Sequence, residues 1–217
     1  MKKIVSFVLV AIPFLLLLIY WADVPDQVPM HWTAQGEIDR YSESKNGILV
    51  LPCVGLGLFL LMFVFPRIDP KGNFAQFINT YWTIMNILLT FFLILFILTL
   101  MISLGSKIDQ RMILHTSITV LFLLLGNYFG KIRANYFVGI RTPWTLESEE
   151  VWKKTHRMAG VLWVTVSVVM LPICMLFPAV SSKLFLPYVL TLAFVPTVYS
   201  FIIHKKLAKE TPQRQDT

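Results

Sequence analysis

Six apolar runs dominate the 217-residue chain: Ile4–Trp21, Gly47–Phe65, Thr80–Leu104, Met112–Gly130, Met158–Phe177 and Leu184–Ile203. A helix needs about 20 apolar residues to cross a hydrocarbon core of about 30 Å, and each run is of that length. A closed barrel would show ten-residue alternation instead, whereas these runs are continuous. The composition agrees, with 56% apolar and 14% charged residues and a mean hydropathy of +0.69. Soluble domains carry nearer a quarter charged residues. The expected fold class is an all-α integral membrane protein of six transmembrane helices.

The net charge of +7 does not point to nucleic acid, because the cations sit in short patches between apolar runs. Lys2 and Lys3 before an apolar run resemble a secretory leader. The run is longer than a usual leader and ends in Tyr20-Trp21-Ala22-Asp23, without a small-x-small cleavage site, so a retained first span is expected. With the N-terminus inside, the inside segments hold 14 of the 19 Lys and Arg residues and the outside segments hold 5. That imbalance favours an N-in/C-in topology at the cell membrane. The expected organisation is a two-span unit (1–65) with an acidic outer loop (22–46), a four-span unit (66–203) with an inner loop (131–157), and a cytoplasmic tail (204–217). Pro13, Pro52, Pro172 and Pro196 are expected to kink their spans, and Cys53 and Cys174 to be buried thiols.

No ionisable group falls near the middle of a span, and His115 comes nearest, a few residues from the outer end of its helix. Proton- and ion-coupled machines keep such groups at depth. Asn86, Thr90, Asn127, Thr165, Ser167, Thr191 and Thr197 are expected to hydrogen-bond between helices. HExxH, GxSxG, P-loop and GxGxxG motifs are missing. Neither an enzyme nor a cofactor is expected, and recognition is left to the two loops. A site pairing His156 with Glu149 or Glu150 is the weaker enzyme reading.

The inner segment NYFVGIRTPWTLESEEVWKKTHRMAG is polar between apolar walls. Thr145 is expected to cap a helix with Glu147, Glu149 and Glu150 in its first turns. Glu149–Lys153 and Glu150–Lys154 are i,i+4 pairs. Trp152, Thr155, His156 and Ala159 share one face, and an interfacial helix with Trp at headgroup level accounts for Glu147 through Arg157. Gly139 suggests a backbone turn, Pro143 pre-sets a dihedral, and Arg141 offers a fork of donors. Two uses of that turn stay open, recognition and structural re-entry into the bundle. In the outer loop, Pro25 and Pro29 favour extended chain and Gly36 a turn. Five acids against Arg40 and Lys45 make it net acidic, and His31-Trp32 is either an interfacial anchor or a ligand surface.

Two of these segments coincide with known motifs. VPMHWTAQGEIDRY resembles the outer-loop signature of a bacterial domain of unknown function, and GIRTPWTLESEEVWKKTHRMAG resembles the signature of the SdpI family of membrane immunity proteins. The resemblance implies protection of a producing cell from its own secreted, membrane-acting peptide toxin. It further implies that the toxin is sensed and a cytoplasmic ArsR-type repressor held at the membrane. The inner-loop residues it puts forward are Asn135, Gly139, Arg141, Thr142, Pro143, Trp144, Thr145, Trp152, His156 and Arg157. In the outer loop they are His31, Trp32, Gly36 and Asp39. The competing function is a small-molecule or lipid transporter without ion coupling. Transporters are often built on inverted repeats; the first and last three spans are expected to carry their long loops at different places, which disfavours it.

Overall fold

The computed structural model describes the backbone of residues 1–213 and the side chains of 1–210, so the last part of the expected tail, residues 214–217, lies outside the described residues. Among the described residues, six helices are long and apolar enough to cross a membrane. They are α1 (Lys2–Tyr20), α2 (Val50–Ile68), α3 (Phe74–Ser103), α4 (Gln110–Phe129), α6 (Glu149–Leu176) and α7 (Pro178–Gln213). A short helix, α5 (Pro143–Glu147), precedes α6. A two-stranded antiparallel ribbon, β1 (Pro29–Trp32) and β2 (Ile38–Tyr41), stands between α1 and α2. Leu15, Leu18, Leu60, Val169, Phe194 and Val198 are exposed on outward faces. That is the pattern of helices solvated by lipid, where the exterior is as apolar as the core.

Several boundaries differ from the hydropathy reading. α3 starts at Phe74 rather than Thr80, and α7 runs to Gln213 through most of the expected tail. Hydropathy stops where Gln76 and Asn79 enter; the chain is helical from Phe74 but kinks at Phe77 (φ −134°, ψ 22°), where Phe74, Phe77 and Tyr81 pack against one another. Pro52 falls in the first turn of α2, where no intrahelical bond is lost, so it gives no kink. Pro66 lies inside that helix instead. Cys174 is buried, but Cys53 is exposed on α2, so the expectation of two buried thiols fails for Cys53.

The helices form two trios. α1, α2 and α3 pack together, as do α4, α6 and α7, and α3 against α4 joins them. Within the first trio Asn86 accepts from the Ser6 hydroxyl at 2.5 Å, and the Tyr81 hydroxyl donates to the Met62 carbonyl at 3.0 Å. Within the second, Ser167 and the Tyr188 hydroxyl are 2.7 Å apart, and Trp163 Nε1 donates to the Leu192 carbonyl at 2.9 Å. Asn86 and Ser167 thus bond between helices as expected. Thr191 and Thr197 bond carbonyls of their own helix, and Asn127 and Thr165 are exposed. A hydroxyl one turn from a carbonyl of its own helix satisfies itself there without a partner on another helix.

In both trios the long connection follows the first helix, so the connectivity is the same with opposite direction. This corrects the expectation of differently placed loops. The trios are still not alike in packing: α3 touches both its neighbours extensively in the first, and α6 does so in the second.

α4 and α6 approach closely at two glycines, Gly126 and Gly160. A Cβ on Gly160 would stand 2.8 Å from the Gly126 carbonyl oxygen, whereas Gly57 has nothing within 4 Å. Gly160→Ala is therefore expected to destabilise the fold by about 1–3 kcal/mol through forced separation of the helices. Gly57→Ala should be neutral or stabilising by up to about 1 kcal/mol. Denaturant titration in detergent micelles measures both, and equal effects would contradict the close approach.

Candidate functional site

The two long connections lie at opposite ends of the bundle, after one crossing and after four. Each is rooted in its own trio and tied to the other.

The first strap, residues 22–46, is rooted where Val24, Val28 and Ile48 pack with Leu17, Phe96 and Leu100. Extended chain before Gly36 and a turn at Gly36 (φ 80°) follow the sequence expectation, and the paired strands add a ribbon that the sequence reading lacked. On the ribbon, His31 Nδ1 and Asp39 Oδ1 are 2.6 Å apart. The hydrogen bond from His31 holds the Asp39 carboxyl below its ordinary range. With the folded value depressed, this contact contributes at neutral pH and fades as acid passes below the ordinary carboxylate value. Trp32 is half-buried.

The tip of the strap crosses to the second trio. His115 Nε2, on α4, meets the Ala34 carbonyl at 3.2 Å, and Ser182, on α7, donates to the Gln35 carbonyl at 3.4 Å. Arg111 Nη2 donates to Glu37 Oε1 at 3.2 Å. A Cβ on Gly36 would reach within 2.9 Å of Arg111, so the tip sits directly on α4. His115 is fully buried, stacked on Phe185 at 4.0 Å, with Ser181 3.0 Å from its Nδ1. It is a clamp for the hairpin. The sequence showed a histidine near a helix end and gave no sign of what it held.

The second strap runs from Gly130 to Ser148. Asn135, fully buried, uses its whole amide: Nδ2 donates to the Arg133 and Val138 carbonyls, and Oδ1 accepts from the Phe137 and Val138 N–H groups, all at 2.7–3.0 Å. That folds the strap into a tight turn. The turn is tied to the first trio, with Tyr136 N–H donating to Asp69 Oδ1 and Asn73 Nδ2 donating to the Ala134 carbonyl, both at 2.9 Å. Phe65 and Phe137 stack with centroids 4.5 Å apart. Phe65, Asp69 and Asn73 lie outside both loops and were not singled out from sequence, since nothing local marks them.

The same strap is rooted on α6. Trp152 Nε1 donates to the Ile132 carbonyl at 2.9 Å. His156 Nε2 accepts the Ile140 N–H at 2.9 Å, and its Nδ1 lies 2.9 Å from the Trp152 carbonyl. A backbone N–H can only donate, so Nε2 carries no proton and Nδ1–H points at the carbonyl. The two rings stack at 4.1 Å. Gly139, at φ 115°, covers them, and a Cβ there would stand 2.4 Å from His156 Nε2. Only glycine fits both the dihedral and the space.

Two expectations are corrected here. Thr145 is not the cap of a long helix. Thr142 caps α5 by accepting from Thr145 N–H with Pro143 in the first turn, and Ser148 caps α6, because the chain breaks at an extended Ser148. Trp152 is not a headgroup anchor, because it is buried against the strap. His156 is committed through both ring nitrogens, while Glu149 and Glu150 face outward and pair with Lys153 and Lys154 at 3.8 and 2.8 Å. They do not form an acid–histidine site.

The named residues thus fall into two groups. Asn135, Gly139, Thr142, Thr145, Trp152 and His156 build the strap, with Thr142 reaching Ser200 on α7 at 3.1 Å. Arg141, Pro143 and Arg157 are exposed, and Trp144 is half-buried beside Phe201. Arg141 donates to the Tyr136 carbonyl at 2.7 Å. Arg157 borders a groove of about 830 Å³ between α6 and α7 that also carries Lys154, Tyr199 and Lys206.

Residues 131–202 match the SdpI/YfhL protein family, and residues 8–56 match a domain of unknown function, DUF1648. The chain is also 26% identical over 206 residues to Immunity protein SdpI of Bacillus subtilis (strain 168), covering 95% of this chain and 97% of that protein. The chain is thus similar to the SdpI/YfhL family over residues 131–202 and to an SdpI protein along nearly its whole length. It is accordingly a multi-pass protein of the bacterial cell membrane. No solved structure matches it significantly. The matched regions carry one strap each, residues 22–46 within the first and 131–148 within the second.

His156→Ala leaves the Ile140 N–H unpaired and is expected to cost about 1–3 kcal/mol. Arg141→Ala, an exposed change, should stay within about 0.5 kcal/mol of the parent. Thermal unfolding in micelles separates the two, and a silent His156→Ala would remove the histidine from the strap's framework.

Proposed function

We propose that the chain protects its cell from a secreted, membrane-acting antimicrobial peptide. The hairpin strap faces outward and the 131–157 segment faces the cytoplasm. The single observation that carries this is the similarity to Immunity protein SdpI along nearly the whole of both chains. The 14-to-5 distribution of cations supports the orientation.

In this reading the peptide meets the acidic ribbon around His31, Trp32 and Asp39 and the adjoining helix ends. The ribbon is pinned across the trios by His115, Ser182 and Arg111, so a peptide that lifts or tightens the tip changes how α4 and α7 sit against α1–α3. The second strap spans the same joint from the opposite side, held by Asp69 and Asn73. It converts that change into a new presentation of Arg141, Trp144 and Arg157 to a cytoplasmic repressor of ArsR type. Coupling needs a peptide with different affinities for the two arrangements, since a ligand binding both equally shifts nothing.

The transporter reading draws on the inverted connectivity of the trios. It ranks second because the trios differ in which helix is central.

A susceptible strain expressing the chain should survive a peptide-producing culture's supernatant at concentrations about tenfold above those that kill the empty-vector strain. Arg141→Ala with Trp144→Ala should leave membrane levels unchanged and abolish repressor recruitment, read as loss of induced reporter expression. Unchanged killing of the parent-expressing strain at verified expression would overturn immunity. Full reporter response in the double variant would return residues 141–144 to a purely architectural part.

A further inference from the structure

α3 and α4 meet along the joint between the trios, and a groove of about 590 Å³ opens there toward the surrounding lipid. Along α3 it extends from Thr83 to Ile94 and along α4 from Met112 to Leu124. At 1.5 Å per residue these stretches are about 16–18 Å long. Because α3 and α4 are antiparallel, the α3 stretch starts from the Lys2 end and the α4 stretch from the opposite end, where Met175 also lines the groove, so together they run along most of a hydrocarbon core of about 30 Å. Its walls are mostly Ile, Phe, Val, Leu and Met with scattered hydroxyls.

One end is different. Lys2 stands at the groove's mouth, at the start of α1 and therefore at the level of the membrane surface. Its Nζ donates to the Asn79 carbonyl at 2.7 Å and to the Thr83 hydroxyl at 2.6 Å. Both acceptors are neutral. An ammonium has three N–H groups, so one remains, and among the described residues no carboxylate pairs with it. Lys3, next in the chain, is turned the other way over the Trp82 ring at 5.3 Å.

We propose that this groove is a binding site for one anionic phospholipid. An acyl chain lies between α3 and α4, and the phosphate meets the free N–H of Lys2. The walls match an acyl chain's apolarity, and the uncompensated ammonium at one end supplies the headgroup's counter-charge. A transmembrane peptide helix fits less well, since an apolar helix brings no anion to the ammonium of Lys2. The lipid fills the joint that both straps span and so props the trios at a fixed separation.

Native mass spectrometry of the purified chain, released from micelles holding equal phosphatidylglycerol and phosphatidylcholine, tests this. The expected result is one retained lipid per chain, with phosphatidylglycerol favoured at least fivefold. Lys2→Gln should bring the ratio near one while a lipid is still retained, and Lys3→Gln should leave it unchanged. Val120→Phe, which fills the groove, should abolish retention at unchanged helicity by circular dichroism. Should Val120→Phe alter helicity, Leu121→Phe replaces it in the same measurement. A fivefold preference that survives Lys2→Gln would overturn the proposal, as would retention undiminished by either filling variant. Absence of any retained lipid, with a 20-residue poly-Leu-Ala peptide binding instead, would assign the groove to a helix and overturn it as well.

Discussion

Two helical trios meet along a single helix pair, α3 against α4, and much of what closes that joint comes from elsewhere. In lipid there is no hydrophobic drive to bring apolar helix faces together. Packing and polar contacts must do it, and polar contacts are available where the chain leaves the bilayer. The straps supply them crosswise. The hairpin belongs to the first trio and is clamped by His115, Arg111 and Ser182 of the second. The 130–148 strap belongs to the second and is held by Asp69 and Asn73 of the first. Movement at the joint therefore loads both aqueous faces together, whichever face is touched.

This arrangement changes what the polar motif means. Most residues that mark the family-like segment do not face solvent. Asn135 exhausts its amide on the turn it sits in, and His156 is held neutral between a backbone donor and a backbone acceptor. Gly139 is demanded by the ring stack beneath it. These are the costs of bringing an irregular loop back onto membrane helices, where every unpaired backbone group is expensive. The part of the segment left at the surface is smaller: Arg141, Pro143, the half-buried Trp144 and the cationic groove at Arg157.

The same logic explains which predictions from sequence survived. Ion pairs Glu149–Lys153 and Glu150–Lys154 formed as local spacing required, because a helix places i and i+4 together whatever it packs against. The caps lie a few residues from the expected position, at Thr142 and at an extended Ser148, because the polar segment forms two helices where local spacing suggested one. The hydroxyls divided between bonding neighbours and bonding their own helix according to which face met a partner, and that is a tertiary fact.

By itself the sequence determined the six spans, their alternation and the two polar connections, because hydropathy and helix length answer to the bilayer alone. It also carried the motifs by which the family is recognised. Only the tertiary structure decided that each connection is fastened to the opposite trio, that His115 clamps a hairpin, and that Asp69 and Asn73 receive a loop some 60 residues away. Such contacts join residues with no shared periodicity or spacing. Their partners are chosen by how helices pack across the joint, which local patterning does not encode.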